Sequence, residues 1–368
     1  MAVEPHVLQR DDLLRAATSA GFSTMTARKL ESFRSNGLMP HPVRVGNDGR
    51  RPVWVYPPGS DHQLVRLLSW REHTMDADVL RVVLWVEGFP LDLDSVRTSA
   101  TIVVDDLSHE LEQLLQTEAS RQGLDPVDGQ DAVVGAVAAT MAAMRGKRAL
   151  PRPIRAPASD RATAVAHMLQ IFVLGTRPDV TEDEAETIEK VLGVSPGRRQ
   201  RVEGAEPWLT GPASLVVGAA DVVSLPRMAE ALAEATDAEW EEARLAARLL
   251  FLQLPVVARA VAAQTGKENL AGFGVFAVLD SEPLFAVLLL AFALGARRAD
   301  WAGNVEDLTD SLTPWPSLIG EMKQVLDMPQ PVLEHNLAGH GSEMQASTEK
   351  IIQALLDGEL DPGPRPDR

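Results

Sequence analysis

Apolar residues recur at helical spacing along most of this chain, and a short segment near the N-terminus interrupts that pattern. Pro42–Val45 and Arg50–Tyr56 are strand-like runs that flank the turn-forming residues Gly46–Gly49. Extended runs rich in β-branched and aromatic residues on both sides of such a turn predict a β-hairpin. We therefore expect a mainly α-helical protein with one short β-hairpin.

The hairpin stands within a series of N-terminal elements that predicts a DNA-binding module. Before it, the apolar spacing predicts a helix over Asp11–Ala20 and a second helix at about 26–35. After it, two more helices are expected, over Ser60–His73 and Asp76–Glu87. The order helix, turn, helix, hairpin, helix, helix is typical of a winged helix-turn-helix, and we assign residues 1–98 to this domain.

The second helix has one apolar side and one side of hydrogen-bond donors. On a helical wheel, Ala27, Leu30 and Phe33 cluster together. The opposite side carries Arg28, Lys29, Ser32, Ser35 and Asn36. Arginine can recognise guanine edges and asparagine adenine edges in the major groove, while hydroxyls contact phosphates. The alternative is an ordinary solvated amphipathic helix.

The predicted hairpin is basic around its tip. It carries three arginines and one asparagine, namely Arg44, Arg50, Arg51 and Asn47. A basic hairpin next to a groove-binding helix can reach the flanking phosphates. A solvated basic turn is the alternative for the hairpin taken alone, and the two features in this order favour DNA binding.

The segment Thr26–Pro40, followed by the basic hairpin and by Trp54–Gly59, resembles the DNA-binding domain of the MerR family of transcription regulators. In that family the helix ends in a glycine-leucine-leucine-proline turn, to which Gly37–Pro40 is similar, and Tyr56 with the following proline is similar to the exit of the family's wing. The resemblance covers roughly 80 residues. It implies that Arg28 and Lys29 face the groove, and that the wing and its exit are formed by Arg44, Arg50, Arg51 and Tyr56.

Charge separates the N-terminal part from the rest of the chain. Residues 1–98 hold 12 basic and 12 acidic side chains, so the whole net charge of −17 lies in residues 99–368. A phosphate backbone repels such an acidic part, whereas the first part can bind it if its arginines share a face.

Residues 99–356 are expected to form an all-α region, and residues 357–368 a disordered tail. Strand-like residues are scarce there apart from Ala100–Val104. An all-α region of this kind can dimerise, bind a small-molecule effector or dock a protein partner, and the sequence does not choose among these. The predicted helices are Leu107–Gln122, Gln130–Met144, Ala162–Gly175, Glu182–Leu192, Ser214–Val223, Arg227–Glu234, Ala238–Gln264, Glu268–Val278, Pro283–Ala296 and Glu343–Leu356.

Several classes of function find no support in the sequence. The chain has no cysteine, and the spacing of His335 and His340 favours a surface loop over a metal site. No catalytic grouping and no cofactor motif is present, so an enzyme is not expected. The N-terminus does not resemble an export signal, and Pro283–Ala296 is too short to cross a membrane, so we expect a cytoplasmic protein.

These observations predict a sequence-specific regulator of transcription that binds double-stranded DNA as a homodimer. An alternative is a winged-helix adaptor or structural protein of a mobile element or phage, which would bind protein partners instead.

Overall fold

The computed structural model describes residues 8–123, 130–143, 156–175, 181–191, 223–265 and 282–298. Within these ranges the protein is mainly helical with a two-stranded antiparallel sheet, which confirms the predicted class at that level. The strands are β1 (Val43–Asp48) and β2 (Arg51–Val55). The helices are α1 (Arg10–Ser19), α2 (Ala27–Ser35), α3 (Ser60–Trp70), α4 (Ala77–Glu87), α5 (Leu93–Gln122), α6 (Gln130–Ala143), α7 (Ala158–Phe172), α8 (Glu182–Val191), α9 (Leu225–Glu234), α10 (Asp237–Thr265) and α11 (Leu284–Arg298).

The chain divides into two compact units, and each contains segments that are distant in sequence. Unit 1 comprises Met1–Glu110, Met228–Arg248 and Ser281–Gly295, and unit 2 comprises the remainder. The boundary that we predicted between residues 98 and 99 lies inside α5. Unit 1 therefore adds parts of α9, α10 and α11 to the N-terminal elements.

Helix α4 is largely buried in unit 1. Seven of its residues are buried, including the continuous run Val82–Val86, and its first turn is capped by Asp76, whose carboxylate accepts from the backbone amides of Asp78 and Val79. At its other end, Glu87 accepts from Arg66 Nε at 2.7 Å and from Trp70 Nε1 at 3.1 Å. These bonds join the C-terminal end of α4 to α3.

Burial raises the pKa of the Glu87 carboxyl, despite the opposing effect of the adjacent Arg66 guanidinium. Desolvation penalises the charged carboxylate, while the cation and the hydrogen bonds favour it. Arg66 Nη2 lies 2.6 Å from Glu87 Oε1, so the ion pair is close, and the carboxylate side chain is only 5% exposed. The pair therefore belongs to the packing between α3 and α4.

The strand-like run Ala100–Val104 is helical, because it lies in the middle of α5. Val96, Ala100, Val103 and Val104 are all buried. Ala100, Val103 and Val104 follow Val96 by four, seven and eight residues, which places all four on one side of a helix. Packing of that side in unit 1 outweighs the preference of β-branched residues for strands.

The first half of α10 packs against α4 and α5 within unit 1. Trp240 is fully buried, and its ring meets Trp85 edge to face with centroids 5.9 Å apart. Arg244 lies over the Trp85 ring and donates from Nε to the Trp85 carbonyl oxygen at 2.7 Å. Arg97 of α5 lies over the Trp240 ring and forms an ion pair with Asp237 at 2.7 Å.

In unit 2, α6 packs against α7 around Val134, Val137, Val165 and Leu169. His167 of α7 lies 3.5 Å from the Glu184 carboxylate of α8. The predicted helices Glu268–Val278 and Glu343–Leu356, most of Ser214–Val223, and the predicted tail lie outside the described residues, as do His335 and His340. Among the described helices, none is both long enough and apolar enough to cross a membrane.

Candidate nucleic-acid interface

Helix α2 separates its apolar residues from its donors as predicted. Leu30 and Phe33 are buried, at 1% and 3% exposure, whereas Ala27 at the first position is exposed, unlike its predicted placement with the apolar side. The five predicted donors are all exposed: Arg28, Lys29, Ser32, Ser35 and Asn36. The exposed face of α2 is thus available to a ligand.

The first turn of α2 is held by local hydrogen bonds. Thr26 Oγ1 accepts from the backbone amide of Lys29 at 3.3 Å, which caps the helix. The Lys29 ammonium donates to the Thr24 carbonyl oxygen at 3.0 Å. Lys29 is therefore tied back to the turn that precedes the helix, while its side chain remains exposed.

The C-terminal end of α2 is closed by Gly37, whose φ of +67° allows a Schellman turn. The backbone amide of Leu38 donates to the Phe33 carbonyl oxygen at 2.9 Å, and that of Gly37 to the Arg34 carbonyl oxygen at 2.9 Å. Leu38 and Met39 are buried, and buried Gln63 of α3 donates to the Leu38 carbonyl oxygen at 2.8 Å. This turn fixes α2 against α3.

Arg81 of α4 adds a second anchor, which the sequence reasoning missed. Its Nη2 donates to the Asn36 carbonyl oxygen at 2.6 Å, and its Nη1 donates to Asp78 at 2.7 Å and to the Ser99 hydroxyl. The Ser99 hydroxyl in turn donates to Asp78 at 2.7 Å. Arg81 comes 45 positions after Asn36, so no local sequence pattern indicates the contact.

The hairpin exposes its predicted contact residues. The strands pair Arg44 with Trp54 and Asn47 with Pro52, a bulge at Val45 shifts the register, and the tip is a two-residue loop after Asp48. Gly49 in that loop has a φ of +61°, a conformation that favours glycine. The exposed predicted contacts are Arg44, Asn47, Arg50 and Arg51.

Tyr56 departs from its implied role, because its side chain is only 4% exposed. Its backbone amide donates to the Leu8 carbonyl oxygen at 2.8 Å. Its hydroxyl accepts from Arg34 Nη1 at 3.2 Å, and Arg34 also pairs with Glu31 at 2.8 Å. The hydrogen bond between Tyr56 and Arg34 joins the end of the hairpin to α2. Arg34 was not among our predicted contact residues. Tyr56 packs inside the protein instead of facing a ligand.

Three arginines of α2 and the hairpin lack the partners that most other arginines of unit 1 have. Within the described residues, the side chains of Arg28, Arg50 and Arg51 make no hydrogen bond, ion pair or ring contact. Seven other arginines of unit 1 each pair with a carboxylate: Arg10, Arg15, Arg34, Arg66, Arg81, Arg97 and Arg244. The unpaired guanidinium groups are thus concentrated on α2 and the hairpin tip.

The local charge has the opposite sign to that of the whole chain. Residues 23–60, which contain α2 and the hairpin, hold six lysines or arginines and two acidic residues. The described residues contain no group of three side chains suited to binding a metal ion. This surface therefore offers cationic groups and hydrogen-bond donors, a chemistry that suits an anionic ligand.

No protein-family model, curated protein or solved structure matches this chain. The resemblance of residues 26–59 to the MerR family therefore stays a prediction that depends on the motifs themselves.

Proposed function

We propose that this protein is a cytoplasmic, sequence-specific regulator of transcription that binds double-stranded DNA through unit 1. In this proposal α2 enters the major groove, and the hairpin is a wing that contacts the flanking phosphates. The protein binds a palindromic site as a homodimer, since a two-fold symmetric pair of such helices matches two half-sites.

The observation that carries the proposal is the set of exposed, unpaired guanidinium groups at Arg28, Arg50 and Arg51. Arginine without an internal carboxylate partner keeps all five donors available for guanine edges or phosphates. The Arg34–Tyr56 hydrogen bond supports a fixed spacing between α2 and the hairpin. A fixed spacing allows both elements to contact one duplex at the same time.

The roles of the donors follow from their positions. Arg28 and Asn36 are assigned to base edges, because bidentate contacts to guanine and adenine suit these side chains. Ser32 and Ser35 lie on the same exposed face and are assigned to backbone or base contacts. Phosphate contacts are assigned to Lys29, Arg44, Arg50 and Arg51.

The acidic remainder of the chain supports binding of DNA through the basic surface of α2 and the hairpin. Because all of the net charge of −17 lies after residue 98, the DNA repels other surfaces and attracts the basic one. Binding is then expected to weaken steeply as salt rises, since each phosphate contact releases bound counterions.

The first test is a fluorescence-anisotropy titration of the full chain with random duplex DNA at low and at physiological salt. The full chain is used because Trp240 of α10 packs on Trp85 of α4, and a fragment of residues 1–98 lacks that contact. Salt-sensitive binding supports the proposal and allows the preferred site to be selected from a random pool. No binding at low salt overturns the proposal and favours the adaptor alternative.

The second test separates recognition of bases from binding of the backbone. Arg28→Ala should lose about 1 to 3 kcal/mol of discrimination at one base pair of the selected site. Arg50→Ala should weaken binding to all sequences and lower the salt slope by about one. Arg121→Ala is the matched control, because Arg121 is an exposed arginine of unit 2 that pairs with Glu118. An unchanged base preference in Arg28→Ala would refute the placement of α2 in the groove.

A further inference from the structure

The hairpin exposes more large apolar side chains than any other described element. Seven large apolar side chains are exposed in the described part of the chain, and three of them, Val43, Val45 and Trp54, lie on the hairpin. Trp54 is the largest of these and is 50% exposed. The other six tryptophans include Trp70, Trp85 and Trp240, which are buried at 2% exposure or less.

The strand register places Trp54 among the polar residues of the proposed DNA interface. Because paired residues share a face of a hairpin, Arg44, Trp54, Asn47 and Pro52 lie on one side. Arg44 Nη2 donates to Asn47 Oδ1 at 2.7 Å across this side. The other side carries the partly buried Val53 and Val55, together with the exposed Val43, Asp48 and Arg51. The indole and the Arg44 guanidinium therefore face solvent together.

The charge around Trp54 favours an anionic occupant of this face. Arg44 shares the face of Trp54, Arg50 lies in the loop at the tip, and Arg51 lies on the opposite face with Asp48, the single acidic residue of the hairpin. Indole rings combine a large apolar area with one hydrogen-bond donor. They therefore suit a binding partner whose surface is partly apolar and partly hydrated. The deoxyribose edges of a DNA minor groove, bordered by phosphates, have this combination.

We propose that Trp54 is a further DNA-contact residue, whose indole packs against the deoxyribose edge of the minor groove while Arg44 binds the adjacent phosphate. This inference depends on the proposed function of unit 1 and extends it. The indole contributes through burial of apolar area, so it releases no counterions, and its contribution does not change with salt. The Arg44 contribution does change with salt.

The test compares wild type, Trp54→Ala, Trp54→Phe and Arg44→Ala in the same anisotropy titration with random duplex DNA, over at least four salt concentrations. Trp54→Ala should raise Kd by about tenfold at every salt concentration, with the salt slope unchanged. Trp54→Phe, which keeps an aromatic ring, should recover most of the loss. Arg44→Ala should lower the salt slope by about one. Leu245→Ala is the control, since Leu245 is 59% exposed but lies on α10.

A second readout follows the indole directly. The difference in fluorescence between wild type and Trp54→Phe isolates the emission of Trp54 from that of the other six tryptophans. In the free protein this emission should be quenched by acrylamide, because the side chain is half exposed. Saturating duplex DNA should protect it from the quencher.

The outcomes separate this inference from the proposed function. If wild type binds DNA but Trp54→Ala binds equally well, or if DNA leaves the acrylamide quenching of Trp54 unchanged, the Trp54 contact is wrong and the function stands. A changed salt slope in Trp54→Ala also contradicts a purely apolar contact. If wild type does not bind DNA at all, both the function and the contact are wrong.

Discussion

Two regions of unit 1 use the same two residue types in opposite ways. On α2 and the hairpin, Arg28 and Arg50 are exposed without partners and Trp54 is half exposed. Where α10 packs on α4 and α5, Trp240 is fully buried and Arg244 is enclosed by a tryptophan ring and by backbone carbonyls.

This difference shows that partners, and not residue type, decide what an arginine or a tryptophan does. Arg244 donates hydrogen bonds within the protein, to the carbonyl oxygens of Trp85 and Phe89 at 2.7 and 3.3 Å, and it forms an ion pair with Glu241. A guanidinium with such partners stabilises the fold, whereas one without partners is available to bind a ligand.

Trp240→Ala should have the largest effect, because it removes a fully buried ring from the contact with Trp85 and Arg97. We expect a loss of about 3 to 5 kcal/mol in the free energy of unfolding, measured by urea denaturation. Leu245→Ala on the same helix should change it by less than about 0.5 kcal/mol. A small effect of Trp240→Ala would show that α10 does not stabilise the N-terminal elements.

Arg244→Ala and Arg28→Ala compare the two kinds of arginine directly. Arg244→Ala should lower the free energy of unfolding by about 1 to 3 kcal/mol, since it leaves the carbonyl oxygens of Trp85 and Phe89 without their donors. Arg28→Ala should change it by less than about 0.5 kcal/mol. Equal losses of unfolding free energy in both variants, again measured by urea denaturation, would show that Arg244 and Arg28 do not differ in their contribution to stability.

Gly37→Ala tests whether α2 is held by its backbone. The φ of Gly37 is +67°, and an added Cβ would come no closer than 3.8 Å to Arg81, so the cost is conformational. We expect a loss of about 1 to 2 kcal/mol in the free energy of unfolding. Gly46→Ala is the control in the hairpin, where an added Cβ meets nothing within 4 Å and φ is not positive. Similar losses of unfolding free energy in both variants would contradict a left-handed backbone conformation at Gly37.

Glu87→Gln should have the smallest effect, visible as a change in pH dependence. Burial raises the pKa of Glu87, so the folded protein takes up this proton more readily than the unfolded chain. The stability due to this group is therefore full below its unfolded pKa and is lost as pH rises through the folded value. As pH rises above 4.5, wild type should therefore lose stability relative to Glu87→Gln. Parallel curves from urea denaturation would contradict this assignment.

Much of the fold near α2 could be predicted from the sequence, because the signals lie within a few residues of their effects. The capping threonine at 26, the spacing of Leu30 and Phe33 and the Asn36-Gly37 ending predicted α2 to within one residue at its start. The turn residues Gly46–Gly49 predicted the hairpin, although the register places only Gly49 and Arg50 in the loop. The exposure of the predicted donors on α2 also followed from helical periodicity.

The exposure of the predicted contact residues has one important exception. Nine of the ten predicted contact residues are exposed, and Tyr56 is buried. A tyrosine can serve as a surface hydroxyl or as a core residue, and its own sequence neighbours do not distinguish these roles. Burial of Tyr56 depends on Arg34 and on the backbone of Leu8, which only folding brings to it.

The sequence by itself determined the helical class, the bounds of α2, the presence of the hairpin and the charge difference between the two parts of the chain. These properties depend on local spacing, turn chemistry and composition. Only the tertiary structure decided that Arg81 binds the end of α2, that Trp240 covers Trp85, and that Ala100–Val104 is helical. Each of these depends on partners outside the segment's own local pattern, as when Arg244 meets Trp85 across 159 positions.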